Sequence, residues 1–558
     1  MARLDYFAPG VYVEEVDRGS RPIEGVSTNI AGFIGFTEDV RGDAELFKPM
    51  LVTSWNEYLE YFARQGSDGY TDFDAYLPFA VNGWFLNGGG RCWVASIGTK
   101  LPGTPPPPLE ETALKIRTTG NRPSLQFALK AAEGGDDNEA AEEGRINVSI
   151  LESEPRPSEN PEAEPPLNTG EFFKVIISRD GEILEEYDHL SMNPEIATEA
   201  GTYAVAAVQE SAFVDVVDLE TPGQPLSRRP ANGNYEVSPP PMVSTPDRFP
   251  RDVQGVRDDR TGMQGIFEID EVTMIAFPDL MRAYQDGILD LDQVHGVMEA
   301  MVSMCENTAP NRMVVLDPPP CKGGGAPVAP TQVKPQHIAQ WLSAFNRRSQ
   351  FAALYYPWIK VPNPRNGGRP IMIPPAGHML GVWCRTDETR GVYKAPANDT
   401  PRGVIGLAYE TNLREQELLN PLGINCIRTF PNRGIRIWGA RTLVEPDNVQ
   451  WRYISVRRLM SYIEKSVELG TQWVVFEPND QDLWARVTRT VSNFLERLWR
   501  SGALFGGSAS EAFYVKCDSS INTHETMMLG RLYIEVGVCP VRPAEFVIFR
   551  FSQWSPNQ

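Results

Sequence analysis

From Gly265 onward, apolar runs of strand length alternate with amphipathic stretches of helix length, and this alternation restricts the sheet that the chain can build. Residues 272–277, 313–316 and 351–356 are short continuous apolar runs, while residues 291–305 and 335–346 carry apolar side chains at helical spacing. A strand that rejoins its sheet after a helix has crossed the face runs parallel to its predecessor. Runs without polar interruption are those of strands covered on both faces. Residues 23–98 continue the theme. Residues 30–36 read as a buried strand, and residues 54–62 as a helix capped by Ser54 with Glu57 at capping-box spacing. Residues 77–86 read as a second helix closed by Gly88-Gly89-Gly90, and residues 91–97 as a returning strand.

Between these two α/β stretches the composition changes. Pro105 to Pro108 form a stiff spacer, and residues 133–164 hold eleven acidic side chains against two basic ones. Strand-like pieces surround this acidic run at residues 127–130, 146–151, 172–178, 183–187 and 213–217, with Asp180-Gly181 as a hairpin signal. Residues 99–255 therefore read as a mainly β domain inserted into the first, its acidic run a solvated loop.

The chain of 558 residues is too long for one core. Its 52 basic and 73 acidic side chains leave a net charge of −21, a surface that repels phosphate backbones and argues against nucleic-acid binding. No apolar segment follows Met1-Ala2-Arg3-Leu4-Asp5 as a signal peptide would require, and no run is long enough to insert in a bilayer. The seven cysteines lack CxxC spacing and read as buried thiols of a reducing compartment.

Beyond Gly391 the sequence predicts two long helices, residues 453–469 stopped by Gly470 and residues 480–501 stopped by Gly502. Trp473-Val-Val-Phe476 between them reads as a buried strand, and residues 531–538 alternate as a half-buried antiparallel strand. Both chain ends carry β-rich arms set off by turn residues: Val11, Tyr12, Val13, Glu14, Glu15 and Val16 behind Pro9-Gly10, and Phe546, Val547, Ile548, Phe549, Arg550 and Phe551 behind Pro540 and Pro543. A dozen extended residues reach roughly 40 Å, about one domain width. Each arm needs a sheet edge, either in its own subunit or in a neighbouring copy.

Catalytic constellations are missing. Cys321-Lys322-Gly323-Gly324-Gly325 lacks phosphate-loop spacing, Gly506-Gly507-Ser508-Ala509-Ser510 lacks the second glycine of a nucleophile elbow, and the five histidines never fall in HxxH or HxxxH spacing. No catalytic, cofactor-binding or metal-binding residue is assigned. In residues 480–501, Leu483, Val487, Val491, Phe494 and Leu498 form an apolar stripe opposite Arg486, Arg489, Asn493, Arg497 and Arg500. The basic stripe has two readings: a docking face for an acidic partner, or a solvated face with Asp482–Arg486 and Glu496–Arg500 pairs.

Several stretches resemble the sheath proteins of contractile phage tails and of phage-tail-like contractile injection systems. They are Pro9-Gly-Val-Tyr-Val-Glu-Glu-Val16 with Gly19-Ser-Arg-Pro-Ile-Glu-Gly-Val26, then Asp188-His-Leu-Ser-Met-Asn-Pro194. Most specific are Trp451-Arg-Tyr-Ile-Ser-Val-Arg-Arg-Leu459, Tyr462-Ile-Glu464, Trp473-Val-Val-Phe-Glu-Pro-Asn479, Leu483-Trp484, Gly502-Ala-Leu504 and Ala512-Phe-Tyr-Val-Lys-Cys517. The resemblance implies a non-enzymatic subunit of stacked hexameric rings around an inner tube, which contract to drive the tube through a target envelope. It implies partners in further copies of the chain, an inner tube protein, baseplate and terminal cap proteins, and sheath paralogues where a particle has them. It places the chain in the cytoplasm of the producing bacterium, as part of an assembled particle or virion.

The fold class expected is then α/β and α+β multidomain. Residues 23–98 and 256–390 form a mixed α/β core, 99–255 an outward-facing mainly β insertion, and 391–539 a tube-facing α+β domain. Residues 1–22 and 540–558 are linking arms for strand addition into neighbouring subunits. The resemblance also makes Arg486, Arg489, Arg497 and Arg500 the candidate tube-docking charges. Two other classes stay open: another self-assembling phage-derived protein such as a baseplate component, and an α/β enzyme with a site gathered from distant residues.

Overall fold

The computed structural model describes residues 22–102, 114–130, 146–156, 170–179, 182–196, 201–219, 222–237, 248–323 and 325–550. The alternating rhythm builds an eight-stranded sheet. Its order is Gly434–Ile437, Ile424–Phe430, Ala352–Tyr356, Met313–Leu316, Met274–Ala276, Ile30–Gly35, Arg91–Ser96 and Pro49–Val52. The six central strands pair in parallel, and one antiparallel strand closes each edge. Every residue of the strands Ile30–Gly35, Met274–Ala276, Met313–Leu316 and Ala352–Tyr356 is buried, as their unbroken apolar runs require. The sheet takes strands Ile424–Phe430 and Gly434–Ile437 from residues expected to lie with the carboxy-terminal domain.

Helices Tyr76–Leu86 and Ala376–Arg390 approach so closely that small residues are needed between them. A Cβ on Gly377 would lie 2.5 Å from Ala80, and one on Gly83 would strike the His378 ring at 2.2 Å. The strand order reverses between Ile30–Gly35 and Met274–Ala276, the position where open α/β sheets form a ligand crevice beyond their carboxyl ends. Here Asp279 fills that position. Its Oδ2 accepts from Phe36 N (2.7 Å) and Leu77 N (3.1 Å), and its Oδ1 accepts from Tyr76 N (2.5 Å). The Tyr76–Leu86 helix has no side-chain cap from Ala75, so this carboxylate serves its exposed amides in place of a bound anion.

Residues Gly98–Pro246 form a separate compact unit. It holds a three-stranded sheet (Val214–Asp218, Pro123–Leu129, Leu114–Arg117) and a five-stranded sheet (Gly233–Val237, Ile146–Glu152, Phe173–Arg179, Glu182–Ser191, Thr202–Tyr203). Alternate residues such as Val148, Ile150, Val175 and Ile177 make one apolar core with Phe127 and Val214. Helix Phe249–Gln254 belongs to the larger unit, so the inserted unit ends before residue 255.

The carboxy-terminal helices are Ile454–Gly470 and Gln481–Arg500, the second capped by Asp480, whose Oδ1 accepts from Leu483 N at 2.8 Å. Leu459, Ile463, Leu483, Val487, Val491 and Phe494 join them in one cluster. The segment 473–476 is not a buried strand. Residues Gln472–Val474 form a 3-10 turn, Val475 and Phe476 are 63% and 103% exposed, and Phe476 has a φ of +66°. Only Trp473 and Val474 pack on the cluster; the backbone must turn between two helices, which a strand cannot do.

The apolar alternation at 531–538 is kept, with Leu532, Ile534, Val536 and Val538 packed against the cluster. Only Glu535–Val538 pairs as a strand, antiparallel to Phe513–Lys516. Upstream, side-chain amides replace the ladder: Asn522 donates to Tyr533 O and accepts from Tyr533 N, and Asn479 donates to Arg531 O.

Candidate functional site

The described segments that border the two arms are held by well-defined contacts. Val11 to Val16 lie outside the described residues, but residues 22–29 run along helix Ile454–Gly470. Ile23 is buried in the carboxy-terminal cluster. A Cβ on Gly470 would lie 2.5 Å from Ile23 Cγ1, so this glycine makes room for the incoming chain. It is the last residue of the helix, not a residue beyond its end as the sequence suggested. A Cβ on Gly25 would lie 1.9 Å from the Tyr462 hydroxyl, a second point of close approach. Ile23 O accepts from Arg497 Nη2 at 2.6 Å, and Val26 N donates to Ser466 Oγ at 3.2 Å. Thr28 O then accepts from Arg458 Nη2 and from Thr273 Oγ1, both at 2.8 Å. Thr28 Oγ1 donates to Asp387 Oδ2 at 2.7 Å, and Arg458 and Asp387 form a buried bidentate pair.

At the other end, Phe505 N donates to Cys539 O at 2.8 Å, Cys539 N to Ala512 O at 2.9 Å, and Val541 N to Ala503 O at 3.2 Å. Glu545 follows. Its carboxylate accepts from Arg441 Nε (2.9 Å to Oε1, 3.2 Å to Oε2), Arg441 Nη2 (2.6 Å), Asn420 Nδ2 (2.8 Å) and the Tyr453 hydroxyl (2.9 Å). Burial pushes this carboxyl up, but the hydrogen bonds from Arg441 and Asn420 and the guanidinium charge outweigh it. They hold Glu545 below the ordinary glutamate value. Immediately beyond, Phe546, Val547, Ile548 and Phe549 are between 70% and 79% exposed, Arg550 is exposed, and none of them belongs to a strand of this chain. Phe551 lies outside the described residues.

The basic stripe does not act as one unit. Arg486 pairs with Glu477 at 3.2 Å and lies over the Trp473 ring; the expected partner was Asp482. Arg500 pairs with Glu496 one turn back, as spacing suggested. Arg497 holds Ile23 O. Arg489 is exposed, and no ion pair or hydrogen bond engages it among the described residues. Sequence reading gave no role to Arg441 or Asp387, and Arg458 entered only within the resemblance stretch 451–459. The one usable signal was Glu545, a lone carboxylate heading an apolar run.

Among the described residues, no helix is long and apolar enough to cross a membrane, and no cluster of three or more His, Cys, Asp or Glu side chains is placed to hold a metal ion. His295 accepts from Trp341 Nε1 at 2.9 Å and packs on Phe345. That is a packing role within the helical layer.

The sequence pattern of the phage tail sheath protein central domain matches residues 266–443, and that of the phage tail sheath C-terminal domain matches residues 447–553. Together they cover about half of the chain. The tail sheath protein of Salmonella phage ViI is 26% identical over 225 residues, which is 39% of this chain and only 34% of that relative. The chain's match thus spans about a third of that relative's length. Over the whole chain the fold is similar to the helical sheath of the anti-feeding prophage in its contracted state, with a TM-score of 0.54 and 23% identity over 98% of this chain and 99% of that one. It is also similar to the contracted PVC sheath complex of an extracellular contractile injection system, with a TM-score of 0.53 and 20% identity over 99% of both chains. The chain therefore belongs to the family of phage tail sheath proteins.

Proposed function

We propose that this protein is the structural subunit of a contractile sheath, polymerising as stacked hexameric rings around an inner tube and linked to its neighbours by strand addition. The observation that carries this reading is the exposed run Phe546–Val547–Ile548–Phe549 beyond Glu545. Burying one such side chain is worth roughly 1.5–3 kcal/mol, so four in a row held in water call for a cover from another chain. The sheet Phe513–Lys516 with Glu535–Val538 has two strands and two outer edges that no described strand pairs. A two-stranded sheet is marginal alone and gains from further strands. It is the acceptor proposed here for the arms of neighbouring copies, Val11 to Val16 and Phe546 to Phe551, with backbone hydrogen bonds supplying the link.

Helix Gln481–Arg500 is the proposed tube-facing element. Arg489 is the charge that no ion pair or hydrogen bond engages among the described residues; Arg500, paired with Glu496, Arg486, paired with Glu477 over the Trp473 ring, and Arg497, bound to Ile23 O, take part with their remaining donors. The partners proposed are further copies of this chain, the inner tube, and the baseplate and cap proteins that bound the sheath, within the cytoplasm of the producing cell. No enzymatic step belongs to this role. The position where an α/β enzyme would bind its ligand is taken by Asp279, which favours a structural over a catalytic use of the sheet.

Charge reversal at Arg489 and Arg500 tests the docking face. Tube-bound particles are expected to become scarce while sheath-only polymers still form. Unchanged tube-bound yield rules the face out.

A further inference from the structure

We propose that two buried arginines, Arg458 and Arg441, fix the roots of the two arms to the eight-stranded sheet, so that a pull on either arm is passed to the sheet at Thr28, behind the contacts of Ile23 and Val26, or at Glu545, rather than peeling the chain ends away. This inference rests on the reading of the chain ends as linking arms.

The two roots share a design although they lie at opposite ends of the sequence. Each passes a backbone or carboxylate oxygen to an arginine that the body already holds. At the amino-terminal root the Arg458–Asp387 pair has both side chains nearly inaccessible, at 6% and 5%, and Thr28 hydrogen-bonds to both partners. Arg458 also lies over the Trp383 ring. Two residues later the chain enters strand Ile30–Gly35, so force arriving at Thr28 has no slack segment to stretch first.

At the carboxy-terminal root, Arg441 grips Glu545 by side chain and is itself gripped by backbone. Arg441 N donates to Asn425 Oδ1 at 2.6 Å, and Asn425 Nδ2 donates to Arg441 O and to Leu354 O. Asn425 is fully buried in strand Ile424–Phe430, and Leu354 lies in the neighbouring strand. A continuous polar path thus runs from Glu545 through Arg441 and Asn425 into the central sheet. It runs in addition to the backbone hydrogen bonds that join Ala503–Phe505 to Cys539–Val541.

Buried ion pairs add little net stability compared with apolar packing, but removing one partner is costly because the other is left buried and unpaired. Such a pair is poor glue and a good positional lock. Its bidentate geometry specifies direction, and it fails only when both hydrogen bonds are lost together. A chain end that has to be held under load, with little other buried surface of its own, is where that property has a use.

Hydrogen exchange on the full-length chain in its unassembled form tests the inference. Variants Glu545→Gln and Arg441→Met remove the carboxy-terminal lock, and Thr28→Val and Arg458→Met remove the amino-terminal one. Glu496→Gln serves as an exposed ion-pair control. The amides of Cys539 and Val541 are expected to exchange at least about tenfold faster in the first two variants, as loss of a buried charged partner implies, with helix Gln481–Arg500 unchanged. The amide of Val26 is expected to respond in the same way to the second pair. Thr28→Val keeps the ion pair and covers the case in which Arg458→Met does not fold. Exchange within twofold of wild type at all three amides overturns the inference. Faster exchange at the roots, together with polymers that form and stay joined as in wild type, leaves the locks standing and overturns the reading of the ends as linking arms.

Discussion

Arg497 Nη2 donates to the carbonyl of Ile23 at 2.6 Å, tying the entry of the amino-terminal segment to the helix that carries the basic stripe. On the proposed reading two functions meet on one helix. Arg489, three residues beyond Arg486, is exposed and is the charge proposed to serve an outside partner. Arg497 serves the chain itself.

These roles separate by mutation. Arg497→Ala is expected to speed hydrogen exchange at the amino-terminal root and to leave docking charge largely in place. Arg489→Ala is expected to leave exchange untouched and to weaken tube binding. Equal effects of both variants on both readouts would contradict the division.

Gly470 tests the same root by packing. An added methyl would lie 2.5 Å from Ile23 Cγ1 and 2.7 Å from Ile23 Cγ2, so the buried Ile23 side chain has to shift within its cluster. Gly470→Ala removes a flexible residue from a helix end, which alone is mildly favourable, yet overpacking is expected to dominate. The loss expected is about 1–3 kcal/mol by urea unfolding. A stabilised variant would show that Ile23 does not sit against the helix.

Asp279 supplies acceptors for three backbone amides at the sheet's switch point. Asp279→Ala strands all three, and each buried unpaired donor costs about 1–3 kcal/mol, so a loss of at least ~3 kcal/mol is expected. A change under about 1 kcal/mol in urea unfolding would contradict the capping role.

His378 makes a contribution to pH dependence whose sign burial fixes, opposite to that of the buried carboxyls of Asp279 and Asp317, which burial pushes up. Burial pushes its imidazole from the ordinary 6.5 down to about 4. Between those values the unfolded chain binds a proton that the folded chain refuses, so this residue's contribution to stability is lost as pH falls through the window. His378→Leu removes the effect. The stability difference between wild type and variant is expected to shift by about 2–3 kcal/mol against wild type from pH 7.5 to pH 4.5. Parallel pH profiles would contradict it. Glu545 behaves differently. Its carboxyl is held below the ordinary value, so its lock is present at neutral pH, persists through the usual glutamate range and opens only under stronger acid.

Much of the central sheet was legible because strands Ile30–Gly35, Met274–Ala276, Met313–Leu316 and Ala352–Tyr356 are unbroken apolar runs and helices Leu291–Asn307 and Pro335–Phe345 are amphipathic, whereas strand Ile424–Phe430 carries the buried polar Asn425. Local periodicity carries both signals. The link at 473–476 misled for the same reason: three apolar residues follow Trp473, yet two of them face water. Apolar sequence indicates burial only where the burying partner lies in the same chain. Phe476 and the run Phe546–Val547–Ile548 are apolar stretches that stay exposed in this chain. The arm roots were invisible because Glu545 and Arg441 are 104 residues apart, and Thr28 and Arg458 are 430 apart. Gly470 looked like a helix stop, since a glycine needed for space and one needed for a turn are the same letter.

The direct test of the linking arms is electron microscopy of three recombinant proteins: the full chain, the chain lacking residues 1–16, and the chain ending at Glu545. The full chain is expected to form striated tubes or stacked cogwheel rings. Both truncations are expected to keep the circular dichroism of folded subunits and to yield only unlinked subunits or short stacks. Long, regular tubes from either truncated chain would contradict the arms as the ties between subunits.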